Sequence, residues 1–250
     1  MKKRYYNIDP WLDPFRDTIE ARLSYLKDRE NLFTGGRTLT DYANGHHWYG
    51  LHRTETGWVF REHAPNATSI TLIGTFSGWK EVERYALRRT DEGDWIGEFD
   101  REMLSHGDLY KMIVRWRGGQ GERIPAYVTR AVQDDVTKIF SAQVWEPDTR
   151  YVMKNPSPPA PASLLIYEAH VGMSTEEERT GTYSEFTRNV LPRVKNLGYN
   201  TIQLMAIQEH PYYGSFGYHV SSLFAPSSRF GTPDELKELI DTAHGLGIRV

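Results

Sequence analysis

Between Gln208 and Gly231 the chain reads QEHPYYGSFGYHVSSLFAPSSRFG, the stretch whose residue types are best suited to handling a ligand. Tyr212, Tyr213, Phe216, Tyr218, Phe224 and Phe230 offer flat apolar faces there, while His210, His219 and Arg229 offer hydrogen-bond donors. Rings beside a few polar groups suit a pyranose, whose CH faces are apolar and whose rim is hydroxylated. The competing reading is that the rings pack the loop onto its own support, as aromatic side chains mostly do. At more than twenty residues the stretch exceeds the ~2–6 residues usual for a strand-to-helix connection, which favours a functional loop. Other chemistry is poorly represented. The nine His show no HExxH or comparable spacing, so zinc is not expected. There is no GxGxxG and no GxxxxGK[ST], hence no nucleotide signature, and Asn66-Ala67-Thr68 is a glycosylation sequon without a secretory signal to use it.

The elements that must carry this loop alternate strand and helix. LLIYEAHV (164–171) is a nearly apolar run, expected to be a parallel strand buried on both faces. A helix should follow, with Thr182 and Glu185 as a capping box and Phe186, Val190, Val194 and Leu197 on one side. Pro192 should kink or restart it, and Gly198 should supply its left-handed end. TIQLMAI (201–207) is the next strand, and the loop leaves its C-terminal end, where α/β barrels hold their active-site loops. Thr232, Pro233 and Glu235 then open a second helix with a stripe of Leu236, Leu239, Ile240 and Ala243. Gly247–Val250 reads as the start of a third strand. Two and a half such units cannot close a barrel, so the sequence reads as cut.

Upstream the period changes to two. Runs at 58–63, 69–76, 95–100 and 108–117, separated by Pro65-Asn66, Ser77-Gly78, Asp91–Asp94 and Gly118-Gly119, predict an all-β, immunoglobulin-like sandwich. In LYKMIVRWR the alternation puts Tyr110, Met112, Val114 and Trp116 on the core face and Lys111, Arg115 and Arg117 on the wet face. NPSPPAPAS (155–163), with four Pro, is a stiff spacer and the best boundary in the chain. At the start, Asp13-Pro14 reads as N-cap and N1 of a helix whose apolar face is Phe15, Ile19, Leu23 and Leu26, closed by Gly35-Gly36. The expected organisation is therefore a helical segment (1–43), a sandwich (44–150), a linker (151–163) and the first βα units of a (β/α)8 barrel (164–250).

Composition bounds the rest. The 250 residues contain no Cys, which excludes disulfides and thiolate chemistry. Thirty Lys and Arg against 33 Asp and Glu, with no basic run, leave no electrostatic footprint for nucleic acid. No apolar run is long enough for a membrane span, and MKKRYYNIDPWLDP has no h-region behind its basic residues, so a cytoplasmic protein without membrane partners is expected.

IYEAHVGM and the long run from Asn200 to Val250 resemble the start of the catalytic barrel of glycogen (1,4-α-glucan) branching enzymes. WVFREHAPNATSITLIGTFSGW and HGDLYKMIVRWRGGQGERIPAY resemble the glycogen-binding sandwich that precedes that barrel. The resemblance implies cleavage of an α-1,4 chain through a covalent glycosyl-enzyme and its transfer to a 6-hydroxyl, with no metal or organic cofactor. Such chemistry takes two carboxyl groups about 5–5.5 Å apart. In the family these lie on later barrel strands, so no catalytic residue is expected here and the chain alone should be inactive. Glu168 and Glu209 fall outside that set. Tyr218, in GYHV, matches the family tyrosine that stacks on the sugar at the cleavage point, with His219 beside it. Trp79, in GTFSGW, and Lys111, in LYKM, match a stacking tryptophan and a hydroxyl-binding lysine. The second stacking tryptophan of strong binders is replaced by Gln120 and Gly121, and Trp95 is assigned to core or rim. The alternative is a non-catalytic α-glucan-binding or targeting protein that uses the sandwich. A debranching or trehalose-releasing relative is more distant.

Overall fold

The computed structural model describes residues 8–250, so the basic segment Met1–Asn7 lies outside the described residues. The chain forms two compact units, one ending at Trp48 and one of Tyr49–Val250. In the first, a 3-10 turn (Pro10–Phe15) leads into α1 (Arg16–Thr34), and a short α2 (Leu39–Tyr42) follows. The expected cap is displaced. Asp9, not Asp13, caps the helical run by accepting from the Trp11 N–H (3.0 Å). Asp13 instead accepts from the Arg16 guanidinium, and Pro14 lies inside the 3-10 turn, whose tighter winding tolerates it. Gly35, at φ 62°, ends α1 as expected.

The second unit begins with nine strands. They are β1 (Gly50–Arg53), β2 (Gly57–His63), β3 (Ala67–Gly74), β4 (Arg88–Arg89), β5 (Asp94–Asp100), β6 (Leu109–Trp116), β7 (Gly119–Arg123), β8 (Ala131–Gln133) and β9 (Phe140–Gln143). One antiparallel sheet has the order β1-β2-β5-β4. The other runs β3-β6-β9-β8, with β7 sharing the edge of β6 beside β9. The two sheets close over Phe60, Ile70, Leu72, Tyr85, Phe99 and Tyr110, which is the sandwich the alternation predicted. Trp95 is core, with its indole N–H donating to Ala64 O (3.0 Å).

Beyond the sandwich, β10 (Ile166–Ala169) pairs in parallel with β11 (Thr201–Leu204), and Arg249 bridges to Thr201 on the far side of β11, again in parallel. Between β10 and β11 run α3 (Tyr183–Glu185), a π turn (Phe186–Val190) and α4 (Leu191–Asn196). The Thr182–Glu185 capping box is present. The π turn has a local cause: Pro192 has no N–H for the carbonyl of Arg188, and the helix widens just before it. That extra residue rotates the register. Leu191 joins Phe186 and Val194 in the core, and Leu197 swings out to 71% exposure, contrary to the uninterrupted period. Next come a hairpin of β12 (Gln208–Glu209) and β13 (Ser222–Pro226), then α5 (Pro233–Gly245), opened by the Thr232–Glu235 box. The long loop is therefore partly ordered by its own antiparallel pairing.

The strand expected to be buried on both faces is not. Leu164, Leu165 and Ile166 are exposed, because helices cover only one face of this small sheet. Among the described residues no helix is long and apolar enough to cross a membrane.

The Pro-rich segment is anchored at its start by Asp241 of α5. This buried carboxylate accepts from Tyr151 OH (2.8 Å), Asn155 N–H (2.7 Å) and Asn155 Nδ2 (3.0 Å). Burial pushes its pKa up, but the bonds from Tyr151, Asn155 and Lys154 outweigh burial and bring it down to about 2. A depressed folded pKa contributes stability above the unfolded value of 3.8, lost as pH falls through about 2. Asp241→Asn turns an amide N–H toward those donors. It should lower the melting temperature by several degrees at pH 7, with the gap closing toward pH 2. A gap that persists at pH 2 in thermal melts would sink this account.

Candidate functional site

Two surfaces carry the candidate residues. On the sandwich, β3 ends in a 3-10 turn (Thr75–Ser77), after which Gly78 and Trp79 both take left-handed backbone (φ 59° and 60°). For a tryptophan this conformation is strained, and it is held by the Trp79 N–H bond to Gly74 O (2.8 Å). The indole stands 42% exposed above Lys111 of β6, whose Nζ lies 5.9 Å from the ring centroid. Trp79 and Lys111 are thus brought together.

Lys111 is not on a wet face, as the alternation predicted. Its side chain is only 11% exposed and its Nζ donates to Glu122 Oε2 (2.8 Å). The reason is β7: its register sets Glu122 opposite Ile113, diagonal to Lys111, so this face of β6 is roofed by Glu122 and Trp79. Trp116, expected in the core, is 36% exposed. It ends β6 opposite Gly119, past the edge of the core, and its indole lies on that glycine with the Arg123 guanidinium 5.4 Å from the ring. Arg115, on the same face as Lys111, grips Glu81 through two 2.6 Å bonds, a pair the sequence reading missed. The Arg115 bonds hold the Glu81 carboxyl below its ordinary pKa. Gln120 is the residue opposite Arg115.

The second surface is the excursion from β12 to α5. Tyr218 is 68% exposed, and Tyr212, Phe216 and His219 are exposed with it. The Tyr212 and His219 rings lie 6.5 Å apart. The tip turns through Phe216 (φ 52°) and Gly217 (φ 83°), and a Cβ at Gly217 would meet Ala206 O at 2.3 Å, so glycine alone fits there. The other three rings have packing partners, although Phe224 stays 44% exposed. Phe230 is in the core, Tyr213 packs edge-on to His170, and Phe224 stacks on Tyr127 of the sandwich at 4.5 Å. Of the three donors expected to face a ligand, His210 is fully buried with Nδ1 2.9 Å from Gln208 O. Arg229 gives its guanidinium to the carbonyls of His210 and Pro211 and to Gln133 Oε1. His219 is left.

Glu209 is fully buried and accepts from Ser228 N–H (2.7 Å) and His210 N–H (3.1 Å), with Arg229 Nη1 at 3.8 Å. Glu168 is exposed and accepts from Gln203 Nε2 at 3.3 Å. The two carboxylates hold different structures in place, and only a hairpin register would have indicated it for Glu209.

Residues 48–128, which span most of the sandwich, match the family model Carbohydrate-binding module 48 (Isoamylase N-terminal domain). The similarity then extends well past the sandwich. The chain is 44% identical, over 97% of its length, to the 1,4-alpha-glucan-branching enzyme of Yarrowia lipolytica, covering 36% of it. It is 41% identical to that of Dictyostelium discoideum, over 97% of this chain and 37% of the relative. Against 1,4-alpha-glucan-branching enzyme 2-2, chloroplastic/amyloplastic, of Arabidopsis thaliana, 41% identity spans 99% of this chain and 32% of the relative. The chain thus covers about a third of the length of these curated relatives. Solved structures alike in fold include a putative alpha amylase from Salmonella typhimurium (TM-score 0.65, 24% identity, 80% of this chain and 32% of that one). Another is pullulanase type I from Bacillus subtilis (TM-score 0.63, 23% identity, 81% and 32%). The resemblance to branching enzymes read from the sequence holds over nearly the whole chain.

Glu209→Gln keeps one acceptor oxygen but turns an NH2 toward a backbone donor. It should cost about 1–3 kcal/mol in urea unfolding, the range for a buried donor left unpaired. An unchanged midpoint would show that the carboxylate does not close this excursion.

Proposed function

We propose that this chain is the part of an α-1,4-glucan branching enzyme that holds the glucan-facing sandwich and the first strand–helix units of a (β/α)8 barrel. The observation that carries the reading is 44% identity over 97% of the chain, which takes in both sandwich and barrel segments. The parallel order β10, β11 and the bridged Arg249, with α-helices between, supports the barrel assignment. On this reading the chain divides into a helical segment (1–43), sandwich (44–150), linker (151–163) and barrel units (164–250), and acts in the cytoplasm.

Tyr218 stacks on a pyranose at the cleavage point and His219 donates to its hydroxyls. The exposure of both side chains supports this role. Trp79 stacks on a second glucose unit, and Lys111 offers the N–H bonds that Glu122 leaves over. The nucleophile and acid/base belong to other parts of the enzyme, so the chain binds α-glucan without branching it. A second reading, a non-catalytic glucan-binding protein, is favoured by one observation: the half-exposed Trp79 already sits over an oriented cation.

The protein isolated from its source should shift the amylose–iodine spectrum and create linkages that an α-1,6-specific debranching enzyme removes; the 250-residue chain should do neither. Release of reducing sugar without new branches would overturn the proposal in favour of a hydrolase. Glycogen co-sedimentation should weaken about tenfold in Trp79→Ala, the equivalent of one stacking contact. Equal sedimentation of variant and wild type would reduce the sandwich to a scaffold.

A further inference from the structure

The excursion that bears Tyr218 leaves and rejoins the fold at neighbouring points. Glu209 closes that base by taking the N–H groups of His210 and Ser228, one from each end. Arg229 then reaches back across it. Its Nη1 donates to His210 O and its Nη2 to Pro211 O (2.8 Å), the carbonyls that immediately precede the exposed run from Tyr212 to His219. A further bond leaves the excursion: Nη2 also donates to Gln133 Oε1 (3.3 Å) at the end of β8, and the guanidinium carbon lies 5.9 Å from the ring of Phe140 in β9.

Inside the exposed run the hydrogen bonds are local. Ser215 N–H and Oγ both donate to Tyr212 O, and Tyr218 N–H donates to Ser215 O (3.0 Å). Such bonds shape the tip but do not aim it. Aim comes from supports outside these bonds: the seat of Gly217 on Ala206, the edge-on packing of Tyr213 and Phe216 against His170, and the arginine at the base. The sandwich touches the excursion elsewhere too, where Arg130 donates to Gly231 O (3.0 Å) and Tyr127 stacks on Phe224. Those contacts hold the return limb and the helix entrance. Among the described residues, Arg229 is the hydrogen-bonding side chain that joins the sandwich to the residues leading into the aromatic run.

We propose that Arg229 is a positioning residue: it aims the Tyr212–His219 run by gripping the His210 and Pro211 carbonyls, and it takes its own place from the β8–β9 hairpin of the sandwich. The role rests on reading that run as an α-glucan contact. It gives the sandwich a task at the barrel loop separate from any glucan it binds through Trp79. The geometry calls for arginine, since one planar fork serves three acceptors in fixed directions, whereas a lysine ammonium would serve one or two without fixing their relation. Holding a binding group in place beforehand avoids its ordering cost when ligand arrives.

The test is tyrosine-ring NMR of the 250-residue chain with 13C-labelled tyrosine, the signals being assigned through Tyr→Phe variants. Arg229→Lys and Gln133→Leu should shift or broaden Tyr212 and Tyr218 while the core signals of Tyr85 and Tyr110 stay put. In maltoheptaose titrations the affinity read at Tyr218 should drop fivefold or more, and that read by Trp79 fluorescence should not change. Unmoved Tyr212 and Tyr218 signals in both variants would overturn the proposal, as would an equal loss at Tyr218 and Trp79, which a general loosening would give. If the wild-type Tyr218 signal ignores maltoheptaose, the glucan-contact reading fails, and the sugar-free spectra still decide the positioning role. Should Arg229→Lys lose its core signals, Gln133→Leu decides alone, because it removes a single contact on the sandwich side.

Discussion

A small parallel sheet has to be covered, and that constraint shapes everything after the sandwich. β10 and β11 pair over four residues, and Arg249 adds a bridge. Such a sheet buries too little to stand alone, since parallel pairing is stable when layers cover it. Helices α3 to α5 cover one face through Phe186, Leu191, Val194 and Leu239. The sandwich supplies side support through the Tyr127–Phe224 stack, the Arg130 bond to Gly231 O, the Arg229 bond to Gln133 and the burial of Ala225 of β13 in its core. Asp241 adds a further restraint by fixing the chain that joins the two parts. The sandwich and the strand–helix segment after it accordingly form one compact unit.

The charged groups near the candidate surfaces follow one pattern. Lys111 is paired with Glu122, Arg115 with Glu81, and Arg229 with backbone carbonyls, so each is oriented before any ligand arrives. A partly exposed pair such as Arg115–Glu81 adds little stability, about 0–1 kcal/mol. The value of all three lies in orientation. A cation held by a neighbouring carboxylate beneath an aromatic ring keeps its remaining N–H bonds in defined directions, and those directions, more than net charge, would discriminate among hydroxylated ligands.

What the sequence disclosed was mostly local. The Thr182–Glu185 and Thr232–Glu235 boxes, the left-handed Gly35 and Gly198, and the core face of α5 depend on residues a few positions apart. The errors came where a distant element decides. Lys111 is covered because a hairpin register brings Glu122 over it, and Trp116 is uncovered because β6 outruns the core. Leu197 left its stripe, though Val194 kept its place, because a proline one turn earlier forced a wide turn. Leu164–Ile166 are apolar yet exposed, which composition alone cannot distinguish from burial. The misassigned His210 and Arg229 belong here as well, since both serve a loop base that exists only once Glu209 and Ser228 meet.

That loop base also limits what the second surface can contribute. With Phe230 and Tyr213 packed and one face of Phe224 stacked on Tyr127, the most exposed rings are Tyr212 and Tyr218, with Phe216 and Phe224 half-exposed, and His219 is the nearby polar side chain among the expected donors. On the proposed branching-enzyme reading, recognition there rests on CH–π stacking with few hydrogen bonds, and stacking supplies affinity without fixing which bond of a glucan chain lies at the centre. A surface of that composition suits a repetitive ligand, where sliding by one sugar presents the same face again. On the same reading, selecting the bond to be cut falls to groups elsewhere in the enzyme, since Glu209 and Asp241, two of the buried carboxylates here, are engaged in holding loops in place.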